Sequence, residues 1–154
     1  MQELLENFHR EHLAMQRLID QFDREAELMR DPSLDPDYHN MLEIVRVFVG
    51  HTHKEHYKKE QQLHHVLRLS MPEVTPLLER LEANQLEQEE LGSELAQLLE
   101  AACSGHLVPR PKLRALVEDF VTHLHKHIDD EESQIIDYAE QWVKGDVLSG
   151  LQAS

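Results

Sequence analysis

Three short stretches that contain proline or glycine divide this chain into four long segments whose apolar residues recur at helical spacing. The stretches cover residues 30–36, 70–73 and 104–111. The segments, named A to D, span about 2–29, 36–68, 73–103 and 110–144. Helices joined by such short connections pack as antiparallel neighbours. The pattern predicts an all-α fold, an up-down-up-down antiparallel four-helix bundle.

One domain accounts for nearly all of the chain, because 154 residues fit a single domain of roughly 100–200 residues. We expect the bundle to occupy residues 1–144 and residues 145–154 to form a loose C-terminal tail. The helix-end signals are an N-cap at Asp35 before Pro36, a capping box of Ser70 and Glu73, and closing glycines at Gly105 and Gly145.

The charge balance excludes several classes of partner. Thirty acidic residues against 15 Lys and Arg give a net charge of -15, which opposes binding to nucleic acid phosphates or to an anionic membrane surface. No apolar run approaches the roughly 18 residues of a membrane span, and no signal peptide is recognisable. The single cysteine, Cys103, cannot form an internal disulfide. We therefore expect a cytoplasmic protein with no nucleic acid or membrane partner.

Polar residues interrupt the apolar face of three segments, in a chain that contains 12 histidines. The inward positions filled by polar residues are His12 in segment A, Thr52, His56 and Glu60 in segment B, and His123, His127 and Glu131 in segment D. Residues four apart on a helix lie on one face with Cβ atoms about 5–6 Å apart. Segments B and D therefore each present an imidazole and a carboxylate side by side toward the bundle interior.

Counting residues from the connecting loops places these interruptions at one level of the bundle. At that level segment C offers Gln85 and Gln88, with Glu89 on the flank. Buried carboxylates without a compensating charge are costly, and a pair of cations would remove the cost. Without metal, repulsion between the two facing glutamates should raise at least one carboxyl pKa. The alternative is a set of partly solvated histidines or a buried polar network without metal.

The sequence thus predicts a metal site, for which iron, zinc and manganese all suit the ligand types. The main candidate ligands are His12, His56, Glu60, His127 and Glu131, and the weaker candidates are Gln85, Gln88, Glu89, His123 and His9. The remaining histidines are expected to be exposed: His39, His51, His53, His64, His65, His106 and His125.

Three stretches of the chain resemble the bacterial type of the hemerythrin-like, HHE cation-binding family. They are Phe8-His9-Arg10-Glu11-His12-Leu13, the stretch from His56 to Leu63 and the stretch from His127 to Ile135, and the similarity covers roughly residues 2–142. The resemblance implies a non-haem di-iron centre in which His12, His56 and His127 are terminal ligands and Glu60 and Glu131 bridge the metals.

The chain departs from the family's pattern in segment C. The family usually provides histidine ligands there, whereas this segment contains none and has Gln85 or Gln88 instead. An amide oxygen is a poorer iron donor than an imidazole. We therefore expect two iron ions, of which the second is held more weakly.

The resemblance implies a protein that binds O2 or another small diatomic ligand, or that senses iron or redox state. We predict no catalytic residue and favour binding over turnover. The alternatives are a helical regulatory or interaction module with a structural metal or none, and a di-iron protein of redox or iron-centre repair. Ferritin-like spacing occurs only at Glu6-Asn7-Phe8-His9, and a His-Glu-x-x-His zinc peptidase motif is absent. A monomer or a homodimer is expected, because apolar residues outside the inward face permit an interface: Leu13, Ile44, Val47, Leu107 and Ile136.

Overall fold

The structure, a computed structural model, describes residues 1–153, apart from the side chains of Thr52 and of residues 146–153. Its helices are α1 (Gln2–Leu28), α2 (Tyr38–Val49), α3 (His51–Ser70), α4 (Thr75–Cys103), α5 (Arg110–Asp130) and α6 (Ile136–Ala153). A 3-10 turn, Pro72–Val74, precedes α4, and a π-helical turn, Glu131–Ile135, joins α5 to α6. The predicted helical bundle is confirmed.

The helices pack so that α4 lies against α2 and α5, α1 lies against α5, and α3 contacts α4 and α6. Gly92 permits the close approach of α4, since a Cβ atom there would lie 2.7 Å from Val49 Cγ1 and 3.2 Å from Phe120 Cε2. Among the residues described, no helix is both long and apolar enough to cross a membrane.

Segment B is two helices rather than the single helix that its periodicity predicted. The break lies at Gly50, whose extended backbone (φ −96°, ψ −168°) ends α2 and begins α3. A Cβ atom at this position would lie 2.5 Å from the carbonyl oxygen of Arg46, so the close turn needs a glycine. The inward face continues after the break at His53, one position beyond Thr52. The side chain predicted inward at Thr52 lies outside the described residues.

Segment D is irregular in a different way, because it contains a π-helical turn, which has one residue more than a regular α-helical turn. In the π-helical turn the N–H of Ile136 donates to the carbonyl of Glu131, five residues earlier. The residues after the turn are therefore rotated relative to the predicted face. Ile136 and Ala139 are buried, whereas Tyr138 and Trp142, which were predicted inward, are only partly buried.

Several predicted helix ends differ from those of the structure. Asp37 rather than Asp35 caps α2, accepting a hydrogen bond from the N–H of Asn40 at 3.0 Å. The predicted Ser70 capping box does not form, because α3 extends through Ser70 and α4 begins at Thr75. Gly105 adopts the expected left-handed conformation, with φ 81°. Gly145 lies inside α6, so it ends no helix, and the backbone of the predicted tail is helical to Ala153. The division at residue 144 stays a prediction.

The buried apolar side chains form two clusters along the bundle. One cluster is built around Ile19, Phe22, Phe48, Leu95 and Phe120. The other is built around Phe8, Leu63, Leu67, Leu78 and Ile135. Along α1, α4 and the α5–α6 segment, buried polar residues lie between the positions that belong to the two clusters. The buried polar layer comprises His12, His53, His56, Glu60, His64, Gln85, Gln88, His127 and Glu131.

The apolar residues predicted outside the inward face divide into two groups. Leu13, Val47 and Leu107 are exposed as expected. Ile44 and Ile136 are buried, so they are not available for an interface between copies of the chain.

Candidate metal centre

Helices α1 and α3 bring a first set of potential ligands together. One ligand atom from each of His12, His56 and Glu60 lies within 4.8 Å of the other two. Nε2 of His56 is 3.0 Å from Oε1 of Glu60, one helical turn away. The imidazole rings of His12 and His56 are 5.1 Å apart between centroids. All three side chains are buried, so the group is enclosed by the bundle.

A second set shares a residue with the first. Glu60, His127 and Glu131 also offer ligand atoms within 4.8 Å of one another. Nε2 of His127 lies 3.2 Å from Oε1 of Glu60 and 3.6 Å from Oε1 of Glu131. Glu60 belongs to both groups: its Oε1 lies near both His56 and His127, and its Oε2 is buried without a hydrogen bond, so this carboxylate lies between the two groups. The five main residues predicted from the sequence are therefore together in the structure.

Carboxylates on neighbouring helices hold the outer nitrogen atoms of the first two histidines. Nδ1–H of His12 donates to Glu132 at 2.7 Å, and Nδ1–H of His56 donates to Glu11 at 2.5 Å. Lys59 lies against Glu11, with 2.6 Å between Nζ and Oε1. A carboxylate only accepts hydrogen bonds, so in the neutral imidazole the proton is on Nδ1 and the lone pair on Nε2 points into the layer. Glu11 and Glu132 were not among the residues predicted for the site, because no sequence pattern links them to these histidines.

His64 is buried, and the prediction that it is exposed was wrong. Only 1% of it is accessible, and its Nε2 is 3.3 Å from Oε1 of Glu131. His56, Glu60 and His64 are spaced four residues apart on α3 and therefore share a face. That spacing was visible in the sequence. The adjacent Leu63 is equally buried, so the apolar pattern alone did not single out His64.

His53 is also buried, against expectation, because the break at Gly50 places it on the inward face. The side-chain amide of Gln85 donates to Nε2 of His53 at 2.9 Å. Burial lowers the pKa of His53 to about 4, so its ring is neutral. With its Nε2 occupied by Gln85, His53 supports the layer from outside the two ligand groups. Gln88 is buried as well, as predicted.

The other weak candidates lie outside the two ligand groups. Glu89 is exposed to solvent. His123 is partly buried beside Asp119, in a shallow groove between α4 and α5 that is rich in carboxylates. His9 is largely exposed and contacts the centre only indirectly, through a 3.2 Å bond to Glu132, the partner of His12.

The remaining expected surface histidines are mostly where the sequence placed them. His39, His51, His65 and His106 are exposed. His125 is partly buried and accepts a 3.0 Å hydrogen bond from the side-chain amide of Gln16.

Unsatisfied polar atoms show that the layer fits a cation. The buried nitrogen and oxygen atoms without a hydrogen bond include Nε2 of His12, His56 and His64, Oε2 of Glu60 and both carboxylate oxygens of Glu131. Buried polar groups are almost always hydrogen-bonded, and an unsatisfied buried carboxylate is more costly still. Divalent metal ions would use these lone pairs. The residues present therefore fit a two-cation site.

When no metal is bound, the negative charge of the buried glutamates favours protonation of the neighbouring histidines. Burial alone would lower the pKa of His127, but Glu60 and Glu131 outweigh it and raise the pKa to about 9. Glu60 and Glu11 likewise raise the pKa of His56 against the effect of burial. The predicted repulsion did not raise the pKa of Glu60. Burial would raise it, but His127 and His56 hold it well below its usual range.

Comparison with known proteins agrees with this geometry. The family model described as the hemerythrin HHE cation binding domain matches residues 3–139, which include both ligand groups. No curated protein and no solved structure matches the sequence significantly. The match spans most of the chain, and the buried histidine and glutamate groups are those that a cation-binding bundle requires. This chain belongs to the hemerythrin HHE cation-binding family.

Proposed function

We propose that the polar layer holds two iron ions bridged by Glu60, and that this centre binds O2 or a related diatomic ligand or senses iron or redox state. The observation that supports the proposal best is the presence of Glu60 in both ligand groups. The first ion would be held by His12, His56 and Glu60, and the second by Glu60, His127 and Glu131. Iron in such a site supplies a redox-active centre that can bind a diatomic molecule.

The side chains of the layer define what each ion would meet. The imidazoles provide neutral nitrogen donors, and the two glutamates provide negative charge in a region shielded from water. Against the effect of burial, Glu60 and Glu131 raise the pKa of His127 to about 9, so a proton on its Nε2 would leave when a metal takes its place. Phe8 covers the first group on one side, with its ring centroid 5.2 Å from that of His56 and 6.0 Å from that of His12. The apolar ring limits access of water at that point.

Burial of the site favours a small ligand. The side chains of both groups are between 0% and 4% exposed, so a substrate of ordinary metabolite size has no direct access to them. A diatomic molecule can reach such a site through small fluctuations of the packed side chains. For this reason we propose binding or sensing rather than turnover of a larger substrate.

The proposal includes a cytoplasmic location, a monomer or homodimer, and no nucleic acid or membrane partner. The net charge of -15 supports the exclusion of anionic polymers and surfaces. The exposed apolar side chains, such as Leu69, Leu86 and Leu107, would be the first to examine for an interface.

Metal content and its response to oxygen test the function. Protein expressed with iron and purified without oxygen should contain two iron ions per chain. Admission of O2 should produce a new absorption band in the near ultraviolet that His56→Ala and His127→Ala diminish. His65→Ala, which changes an exposed histidine on the same helix, is the control. A colourless protein that holds zinc and gives no response to O2 would instead support a structural-metal module.

A further inference from the structure

We propose that His64 is a direct ligand of the second metal ion and takes the place of the histidine that helix α4 lacks. The proposal rests on the proposed two-metal centre and adds a residue that the ligand groups above do not include. On the α4 side, the layer contains the neutral amides of Gln85 and Gln88. His64 provides an imidazole to the same layer from α3.

The orientation of His64 matches that of the other terminal ligands. Its Nε2 is 3.3 Å from Oε1 of Glu131, and this buried nitrogen has no hydrogen bond. Its Nδ1 lies 3.4 Å from Oε1 of Glu82 on α4. His12 and His56 show the same arrangement, with Nδ1 on an outer carboxylate and Nε2 toward the layer. An imidazole held in this way is oriented to coordinate a metal through Nε2.

A basic side chain orients Glu82, the carboxylate next to Nδ1 of His64, just as one orients Glu11 next to His56. The guanidinium of Arg68 donates to both oxygens of Glu82 at 2.8 Å, which orients the carboxylate and lowers the pKa of Glu82, an effect that burial opposes. The corresponding group on the other side is Lys59 with Glu11. Two histidines of α3 thus each have an outer carboxylate and a basic residue from α3 behind it.

The positions of the ligands assign His64 to the second ion. His56, Glu60 and His64 follow one another at intervals of one helical turn, so His56 and His64 lie on opposite sides of the shared Glu60. His56 belongs with His12, whereas His64 contacts Glu131. Each ion would then have two imidazoles, His12 and His56 for the first and His127 and His64 for the second. The second ion would then be bound about as tightly as the first, rather than more weakly as expected from the sequence.

Titration of metal-free protein with Fe(II) without oxygen tests the assignment. The unaltered protein should bind two ions with similar affinity. His64→Gln should retain one tight ion and weaken the other by at least about 100-fold, because it removes a ligand rather than an outer partner. Glu82→Gln, which keeps the imidazole, should weaken the same ion less, by about 10-fold. His65→Gln, an exposed neighbour, is the control. Unchanged binding in His64→Gln, or equal weakening of both ions, would overturn the inference.

Proton NMR of the Co(II)-loaded, unaltered protein tests the same assignment, so the result does not depend on whether a variant folds. Each imidazole bound through Nε2 should show one exchangeable, strongly shifted signal from its Nδ1–H. Four such signals support His64 as a ligand, and three signals, with the one from His64 missing, would overturn it. This count is independent of any reaction with oxygen. A protein with four signals but no response of its iron form to O2 would keep the inference and reject the proposed function.

Discussion

At the scale of single residues, the outer carboxylates decide which nitrogen of each histidine is available. Glu11 and Glu132 accept hydrogen bonds from the Nδ1–H groups of His56 and His12, respectively. The Nε2 atoms of both rings therefore point inward. The sequence could not reveal these partners. Glu11 lies 45 residues from His56 along the chain and Glu132 lies 120 residues from His12, and only the packed bundle brings them together.

Replacement of an outer carboxylate should weaken metal binding without removing a ligand. Glu11→Gln keeps the size of the side chain but removes the charge that orients His56, and it should lower the affinity of the first ion about 10- to 100-fold. Calorimetric or dialysis titration with Fe(II) measures the change. Glu55→Gln is the control, because Glu55 also pairs with a lysine, Lys58 at 3.0 Å, but on the surface. Equal affinities of Glu11→Gln and the unaltered protein would contradict the role of Glu11.

The metal-free protein should be most stable near pH 6.5. The pKa of His127 is raised to about 9, so its stabilising contribution is complete below the ordinary value of 6.5 and is lost as pH rises toward 9. The pKa of His53 is lowered to about 4, so burying its neutral ring costs stability as pH falls from 6.5 to 4. The lowered pKa of Glu60 adds to the loss in acid.

Urea unfolding of chelator-treated protein at pH 5, 6.5 and 8.5 measures this profile. His53→Gln should reduce the loss of stability between pH 6.5 and 5, because it removes the buried imidazole whose low pKa makes folding less favourable in acid. His65→Gln should follow the unaltered protein at every pH. A stability that rises steadily from pH 5 to 8.5 would show that the pair of His127 and Glu60 contributes little.

At the scale of helices, both segments that provide a histidine and glutamate pair depart from a regular helix, one at the break at Gly50 and the other in the π-helical turn Glu131–Ile135. The five main ligands could be predicted because each pair, His56 with Glu60 and His127 with Glu131, spans one regular turn. Positions beyond the irregularities could not, which is why the burial of His53 and of Ala139 was not predicted. The glycine at the first irregularity was visible in the sequence. The second lies in Glu131–Ile135, where no glycine or proline gives a signal.

Gly50→Ala should disturb the metal centre from a distance. The added Cβ would lie 2.5 Å from the backbone oxygen of Arg46, so α2 or α3 must shift. We expect a loss of about 1–3 kcal/mol in the free energy of unfolding, and weaker metal binding because α3 provides His56, Glu60 and His64. Gly145→Ala is the matched control, since its Cβ would meet nothing within 4 Å. Thermal unfolding and Fe(II) titration of both variants test the expectation, which an unaffected Gly50→Ala would contradict.

At the scale of the whole molecule, the polar layer separates two apolar clusters that together stabilise the bundle. The separation could be predicted because the polar interruptions of different segments fall at equal distances from the loops. The burial of His53 could not, since it follows from the break at Gly50, whereas the four-residue spacing of His64 from Glu60 was visible in the sequence. In the metal-free protein the two clusters are joined across a layer with unsatisfied nitrogen and oxygen atoms. The layer is therefore the weakest part of the core.

Removal of metal should loosen this layer before it unfolds the clusters. A ligand bound only to the folded state at 100 times its Kd stabilises that state by about 2.7 kcal/mol, which corresponds to roughly 5–10 °C in Tm for each ion. Chelator should therefore lower Tm clearly, and hydrogen exchange should accelerate first at the backbone amides of residues 56–64 and 127–131. The amides around Phe22 and Leu95, in the larger apolar cluster, should remain protected. A double variant, His56→Ala with His127→Ala, should melt at the same temperature with and without chelator. If the unaltered protein also melts identically in both conditions, the layer holds no metal that matters to the fold.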